Sequence, residues 1–210
     1  MAEVVGTLVS TLLERVRDPA GMAVTRAQAR TVLSHAQGLV SVATEAVVEH
    51  VTFPTLAMTQ CYPIDLVTLP ACGKITQIRE ATRDLDPADF RELARYDRSW
   101  FRRVGNRFEA WATIGRGVLV IHPAKREASS VTVYYAKWTG TLTDDSVVTE
   151  IPDSSLPLVL DVAELILSVR MRQYDAARAL MGRLTSRLKV DMSGMNIGRD
   201  VPEVPATVGG

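Results

Sequence analysis

The chain of 210 residues is 47% hydrophobic and 23% charged, with lysine plus arginine equal to aspartate plus glutamate at 24 each. These proportions exclude a disordered polyelectrolyte and leave no overall field to hold the protein on DNA or an anionic membrane, so any nucleic-acid contact has to be local. Two cysteines are too few for a disulfide framework, and Cys61 and Cys72, set among Tyr62, Pro63, Pro70 and Gly73, are expected as free thiols.

The opening segment carries Glu3 and no basic start, unlike a secretory leader. No apolar run reaches the roughly 18 residues of a membrane span. From Val4 onward, Val5, Leu8, Val9, Leu12, Leu13 and Val16 recur at the period of an amphipathic helix, which Asp18, Pro19 and Gly21 should end. Thr25 followed by Gln28 predicts a capping box, in which each side chain serves the other residue's free N–H. A second helix then runs through Ala29, Val32, Leu33, Ala36, Leu39, Val40 and Ala43, whose small members favour close packing.

Between Val47 and Trp138 the helical period gives way to short segments rich in valine, isoleucine, threonine and aromatics. Strands are expected over 47–53, 74–80, 108–114, 117–122 and 131–138, forming one small antiparallel sheet or barrel. Asp86 as N-cap and Pro87 in the first turn predict an interrupting helix with Phe90, Leu93 and Ala94 on one face. After Asp153 the helical period returns with Leu158, Val162, Leu165, Ile166 and Val169, and Pro157 is tolerated because first-turn N–H groups have no intrahelical partner. A break over 173–175 precedes Ala176, Ala177, Leu180, Met181, Leu184 and Leu188, as one kinked helix or two. Residues 191–210, with four glycines, two prolines and no apolar period, are expected to lack order of their own.

A catalytic site needs a nucleophile with its base, a carboxylate pair, a metal cluster or a phosphate loop. His35, His50 and His122 have no ligand spacing. Gly115 and Gly117 begin a dinucleotide fingerprint, but the third glycine is missing and a strand follows, so a hairpin turn accounts for both. Asp84, Asp86 and Asp89 lack the glycine and glutamate of a calcium loop, and Asp144 and Asp145 suit a solvated turn. The sequence therefore predicts no enzyme, cofactor or metal.

Two basic clusters stand out instead. Arg91, Arg95, Arg98, Arg102, Arg103 and Arg107 interleave with Trp100, Phe101 and Phe108, with only Glu92 and Asp97 as acids between Arg91 and Arg107. Such a mixture can neutralise phosphates while stacking on bases, or form an interface, since arginine and tryptophan are common hot-spot residues. The second set is Arg170, Arg172, Arg178, Arg183, Arg187 and Lys189, against the single acid Asp175. Late in a helix, these charges favour the C-terminal dipole.

In order, VTRAQARTVLSHAQGLV, CYPIDLVTLPACGKITQIRE, DFRELARYDRSW, FEAWATIGRGVLVIHP, VTVYYAKWTGTLTDDS and IPDSSLPLVLDVAELILSVRMRQYDAARAL resemble a bacteriophage head-to-tail connector, the portal adaptor of tailed and especially short-tailed phages. The likeness covers about residues 1–190. It implies an α+β chain: a helical bundle from 1–45 and 153–190, an inserted β domain over 46–152, and a flexible tail over 191–210. It also implies a virion structural role at the head–tail junction, after assembly in the host cytoplasm. The subunits would close into a ring of roughly twelve copies around double-stranded DNA in transit. The portal protein and a tail tube or nozzle protein are the implied partners, with no membrane involved. In such a subunit the C-terminal segment reaches the portal, here through Met192, Met195, Ile197 and Val201. Arg95, Arg98, Trp100, Arg102, Arg103 and Arg107 are the expected tail-facing, subunit-facing or DNA-facing residues. A nucleic-acid-binding protein using the segment from Arg91 to Arg107, or a tail-completion or neck protein, is the alternative.

Overall fold

The computed structural model describes residues 4–18, 20–65, 69–96, 99–115 and 117–195, with the backbone alone for 92, 93, 96 and 188–195. α1 (Val5–Arg15) buries Val5, Leu8, Val9, Leu12 and Leu13, the spacing that the sequence pattern requires. The loop after it closes around one carboxylate: Asp18 accepts the backbone N–H of Met22, Ala23 and Val24 at 2.9, 2.8 and 2.7 Å. α2 (Arg26–Thr44) starts at the expected capping box, with Gln28 N donating to Thr25 Oγ1 at 3.2 Å and Thr25 N to Gln28 Oε1 at 2.9 Å.

The β region follows as β1 (Val48–Thr55), β2 (Cys61–Pro63), β3 (Cys72–Glu80), β4 (Arg83–Asp84) and β5 (Asp86–Pro87). Next come α3 (Phe90–Tyr96), a 3-10 turn over Trp100–Arg102, β6 (Val104–Gly105), β7 (Ala110–Ile114), β8 (Val118–His122), β9 (Ala124–Lys125) and β10 (Ser129–Lys137). α4 (Leu156–Arg170) and α5 (Tyr174–Met195) complete an α+β chain. The break at 171–173 makes them two helices, and Arg172 turns the chain with φ 59°. α5 runs to Met195, beyond the expected start of the tail at Asp191.

The strands do not make the single antiparallel sheet expected from their spacing. They form one sheet in the order β1-β10-β3-β4, a second in the order β2-β8-β7-β5, and a β6-β9 pair. β5 runs parallel to β7, and β6 parallel to β9. Two-residue strands carry no readable alternation, so the sequence pattern could not announce them. The expected helix cap at Asp86 and Pro87 is one of these strands. Asp86 N donates to Glu109 O at 3.1 Å and Ala88 N to Trp111 O at 2.8 Å, so Pro87, which lacks an N–H, takes the position that donates nothing to β7. Asp89 caps α3 in its place, accepting Arg91 N at 2.7 Å.

The helical core joins Leu8 and Leu12 of α1, Val32, Leu33 and Ala36 of α2, Val159, Ala163 and Leu167 of α4, and Leu184 of α5. Leu142 and Ile151, expected in the β part, belong to this core. The strap that carries them lies along the helices: Leu142 N donates to Ser34 Oγ at 3.1 Å, Arg30 Nη1 to Thr143 O at 2.6 Å, and Val5 N to Val147 O at 3.0 Å. Asp145, expected in a solvated turn, pairs with Arg26 at 2.8 Å and Arg30 at 3.1 Å. The Arg26 hydrogen bond is the main reason its carboxyl sits below the usual range.

The two sheets face each other across Ile78, Phe108, Leu119, Ile121, Val133 and Tyr135. Alternate residues of β7 and β8 point the other way, and Ala112 and Val120 meet Trp100, Phe90 and Ala94 in a small separate cluster. α2 is joined to the first sheet at two glycines. A Cβ on Gly38 would collide with the Trp138 indole, and one on Gly73 with Val42 Cγ2. Beside them Ser41 Oγ donates to Lys137 O at 2.7 Å.

Two outcomes follow from this packing. Gly38→Ala should destabilise the chain by about 1–3 kcal/mol, the usual cost of overpacking a close contact, read as a lowered urea midpoint at unchanged slope. The second concerns acid. The Val24 amide chiefly, then Ala23 and Met22, lower the Asp18 pKa. A folded pKa below the unfolded value of about 3.9 means that Asp18 contributes stability fully above that value and loses it as pH falls through the lower folded one. Asp18→Asn should therefore lower Tm at neutral pH, and the gap from the parent chain should narrow in thermal melts taken below the usual carboxylate range.

Candidate interaction surfaces

The arginine and aromatic segment is built on α3, the 3-10 turn and β6. Arg91 and Arg95 are exposed on α3, and Arg102, Arg103 and Arg107 are exposed beyond it. Arg98 and Asp97 lie outside the described residues. The backbone of the turn is pinned from below by a buried glutamine, since Gln60 Nε2 donates to Trp100 O at 3.1 Å and Arg103 O at 2.9 Å. Arg103 Nη2 stands 3.8 Å from Glu109, and the Arg102 guanidinium lies 5.3 Å from the centroid of Phe101.

The aromatics do not form the stacking array that their spacing suggested. Trp100 is only 8% exposed and packs edge-on against Phe90 at 5.3 Å, with His122 at 6.4 Å. Phe108 is fully buried. Phe101 alone of the three faces solvent, at 56% exposure. Trp100 is thus a core residue that fixes the turn, closed over by α3 and β8, and not a contact residue. The surface it supports consists of arginines around one phenylalanine.

On the helical side, α5 buries Ala177, Leu180 and Leu184 and leaves Tyr174 and Met181 exposed. Arg170, Arg172, Arg178 and Arg183 are exposed, whereas Arg187 pairs with Asp161. Arg15 reaches the same carboxylate at 2.8 Å and Glu164 at 3.5 Å, so one acid of α4 ties α1 to α5. Of the expected portal-binding residues, Met192 and Met195 fall within α5, while Ile197 and Val201 lie outside the described residues.

The histidines remain apart. His35 is exposed on α2, His50 stacks on Tyr134 at 5.5 Å, and His122 is buried. Among the described residues no group of three or more histidine, cysteine, aspartate or glutamate side chains could hold a metal ion. Cys61 and Cys72 are free, and burial raises the Cys72 thiol pKa. No helix among the described residues is long and apolar enough to cross a membrane. No family model matches the chain, and no curated protein is significantly similar to it.

Sequence reasoning missed Asp18, which it read as a helix stop only, and Gln60, which has no pattern to betray it. The aspartate signal was present, because Asp before a Pro and Gly turn is a residue type that binds backbone N–H groups nearby. Trp100→Ala should cost about 3–5 kcal/mol, as for other buried large side chains. Arg102→Ala and Arg107→Ala should each stay within about 0.5 kcal/mol of the parent. Urea unfolding of the three variants separates the core residue from the surface residues.

Proposed function

We propose that this chain is a virion structural protein, the head-to-tail adaptor that forms a ring beneath the portal and extends the DNA channel. The observation that carries the reading is the return of both helical ends to one core, α1 and α2 with α4 and α5, while the strands emerge between them around cores of their own. We read this as a helical bundle with an inserted β domain. One subunit then has a body for its neighbours and a separate body for the next component of the tail.

Identical subunits close a ring through heterologous contacts, one face meeting a different face of the neighbour, and repetition multiplies a modest attachment. Exposed apolar side chains on the helices, Leu39, Val169, Tyr174 and Met181, supply candidate contacts. The end of α5 and the residues after it are assigned to the portal, and the β region to the tail tube or nozzle. This role involves no reaction. A tail-completion or neck protein would use the same two-body subunit. The nucleic-acid reading is favoured by one observation, the exposed Arg102, Arg103 and Arg107 beside exposed Phe101.

Deleting residues 191–210 leaves Ala177, Leu180 and Leu184 in place, so the truncated chain should fold. It should lose co-sedimentation with the portal protein of the same virus, and unchanged co-sedimentation would sink the assignment of this segment. Native mass measurement with portal present should give a closed ring of many copies. A chain that stays monomeric there overturns the adaptor reading, while salt-dependent retardation of DNA by the isolated protein supports the alternative.

A further inference from the structure

Where α1 ends, the loop after it and the α4–α5 turn enclose a cavity of about 720 Å³. Two of its acids, Asp18 of the loop and Glu164 of α4, are already engaged. Asp18 holds three backbone amides, and Glu164 is 3.5 Å from Arg15. Its remaining cations are not: Arg17 and Arg172 line the cavity and neither is ion-paired or hydrogen-bonded through its side chain to any described residue. Both are exposed and have left-handed backbones, φ 60° and 59°, just past the ends of α1 and α4.

Two further donors face the same space. The first backbone bond of α5 runs from Ala177 N to Gln173 O, which leaves the N–H groups of 174–176 at the positive end of the helix beside the cavity. Ser168, only 2% exposed, also lines the cavity and brings a hydroxyl-bearing side chain to it. Val16 and Met171 add apolar lining. The space therefore suits a ligand with an anionic group and a short apolar body.

We propose that this cavity docks a carboxylate-bearing peptide segment of a partner protein. A lone phosphate would fill a small part of a space this size and leave Met171 uncovered, since cavities of about 300–1,000 Å³ suit ligands much larger than an ion. A nucleic-acid strand needs a continuing basic groove with several stacking platforms, and this cavity has one aromatic in its lining, Tyr174. A carboxylate instead makes bidentate bonds with arginine, and side chains of the segment cover the apolar lining. The proposal holds whether or not the chain forms a ring.

The test uses the full chain and a blocked triglutamate peptide, with blocked triglutamine as control, titrated by calorimetry at low and high salt. The glutamate peptide should bind more tightly at low salt, and the glutamine peptide should not bind. The double variant Arg17→Asn with Arg172→Asn keeps residues that tolerate a left-handed backbone and should weaken binding by about tenfold or more, with the helical signal retained. Amide resonances of residues 174–176 should shift in the parent chain on adding the peptide, a readout that needs no variant. Absent binding, no shift at those amides, or equal affinity in the double variant overturns the proposal. So does displacement of the peptide by an equal concentration of inorganic phosphate, or tighter binding of a single-stranded DNA oligonucleotide.

Discussion

The close approach of α2 to the first sheet sets the position of almost everything else. Gly38 and Gly73 leave room at two points for the Trp138 indole and the Val42 side chain, and the Ser41 hydroxyl binds the backbone of β10 between them. β10 is the central strand of that sheet, pairing with β1 on one side and β3 on the other. A helix fixed on this strand therefore fixes the sheet, and the β core beneath it, relative to the helical core. The same contact delivers the chain from Lys137 into the strap along α1 and α2.

Charge plays a positioning role here more than a stabilising one. Among the described residues, several ion pairs join segments far apart in sequence. Asp145 holds the strap to α2, Asp161 joins α1 to α5, and Lys125 meets Glu80 at 2.6 Å between the β9 ribbon and the first sheet. The solvent-open pairs among them, such as Arg26 with Asp145, contribute about 0–1 kcal/mol each, too little to drive folding against the apolar cores. Their geometry nonetheless decides which arginines stay free. Arg15, Arg26, Arg30 and Arg187 are occupied, whereas Arg17 and Arg172 are left facing a cavity.

Long amphipathic elements were legible from the sequence. α1 follows its apolar spacing, α2 does so except at the exposed Leu39 and Ala43, and α4 forms where expected but buries Val159, Ala163 and Leu167 beside Leu158 while Val169 is exposed. Thr25 and Gln28 form their capping box, and the longer strands fall where alternation and β-branched residues place them. The surface site was legible only in part. The arginines are exposed as a charged residue usually is, but Trp100 and Phe108 are buried, because an aromatic near arginines looks the same in sequence whether it faces water or a core. The two-residue strands were invisible, since pairing partners so short are chosen by the neighbours already in place.

The sequence by itself determined the class of the chain, the order of its helices and longer strands, and the buried face of α1. Those properties are local, because the period of apolar residues and the chemistry of caps act within a few turns of helix or strand. Only the tertiary structure decided that the strands divide into two facing sheets, that the strap over 139–151 belongs with the helices, and that the α1 and α4 ends meet around a cavity. These depend on contacts between residues far apart in the chain, such as Ser34 with Leu142 and Arg15 with Asp161, which no local period encodes.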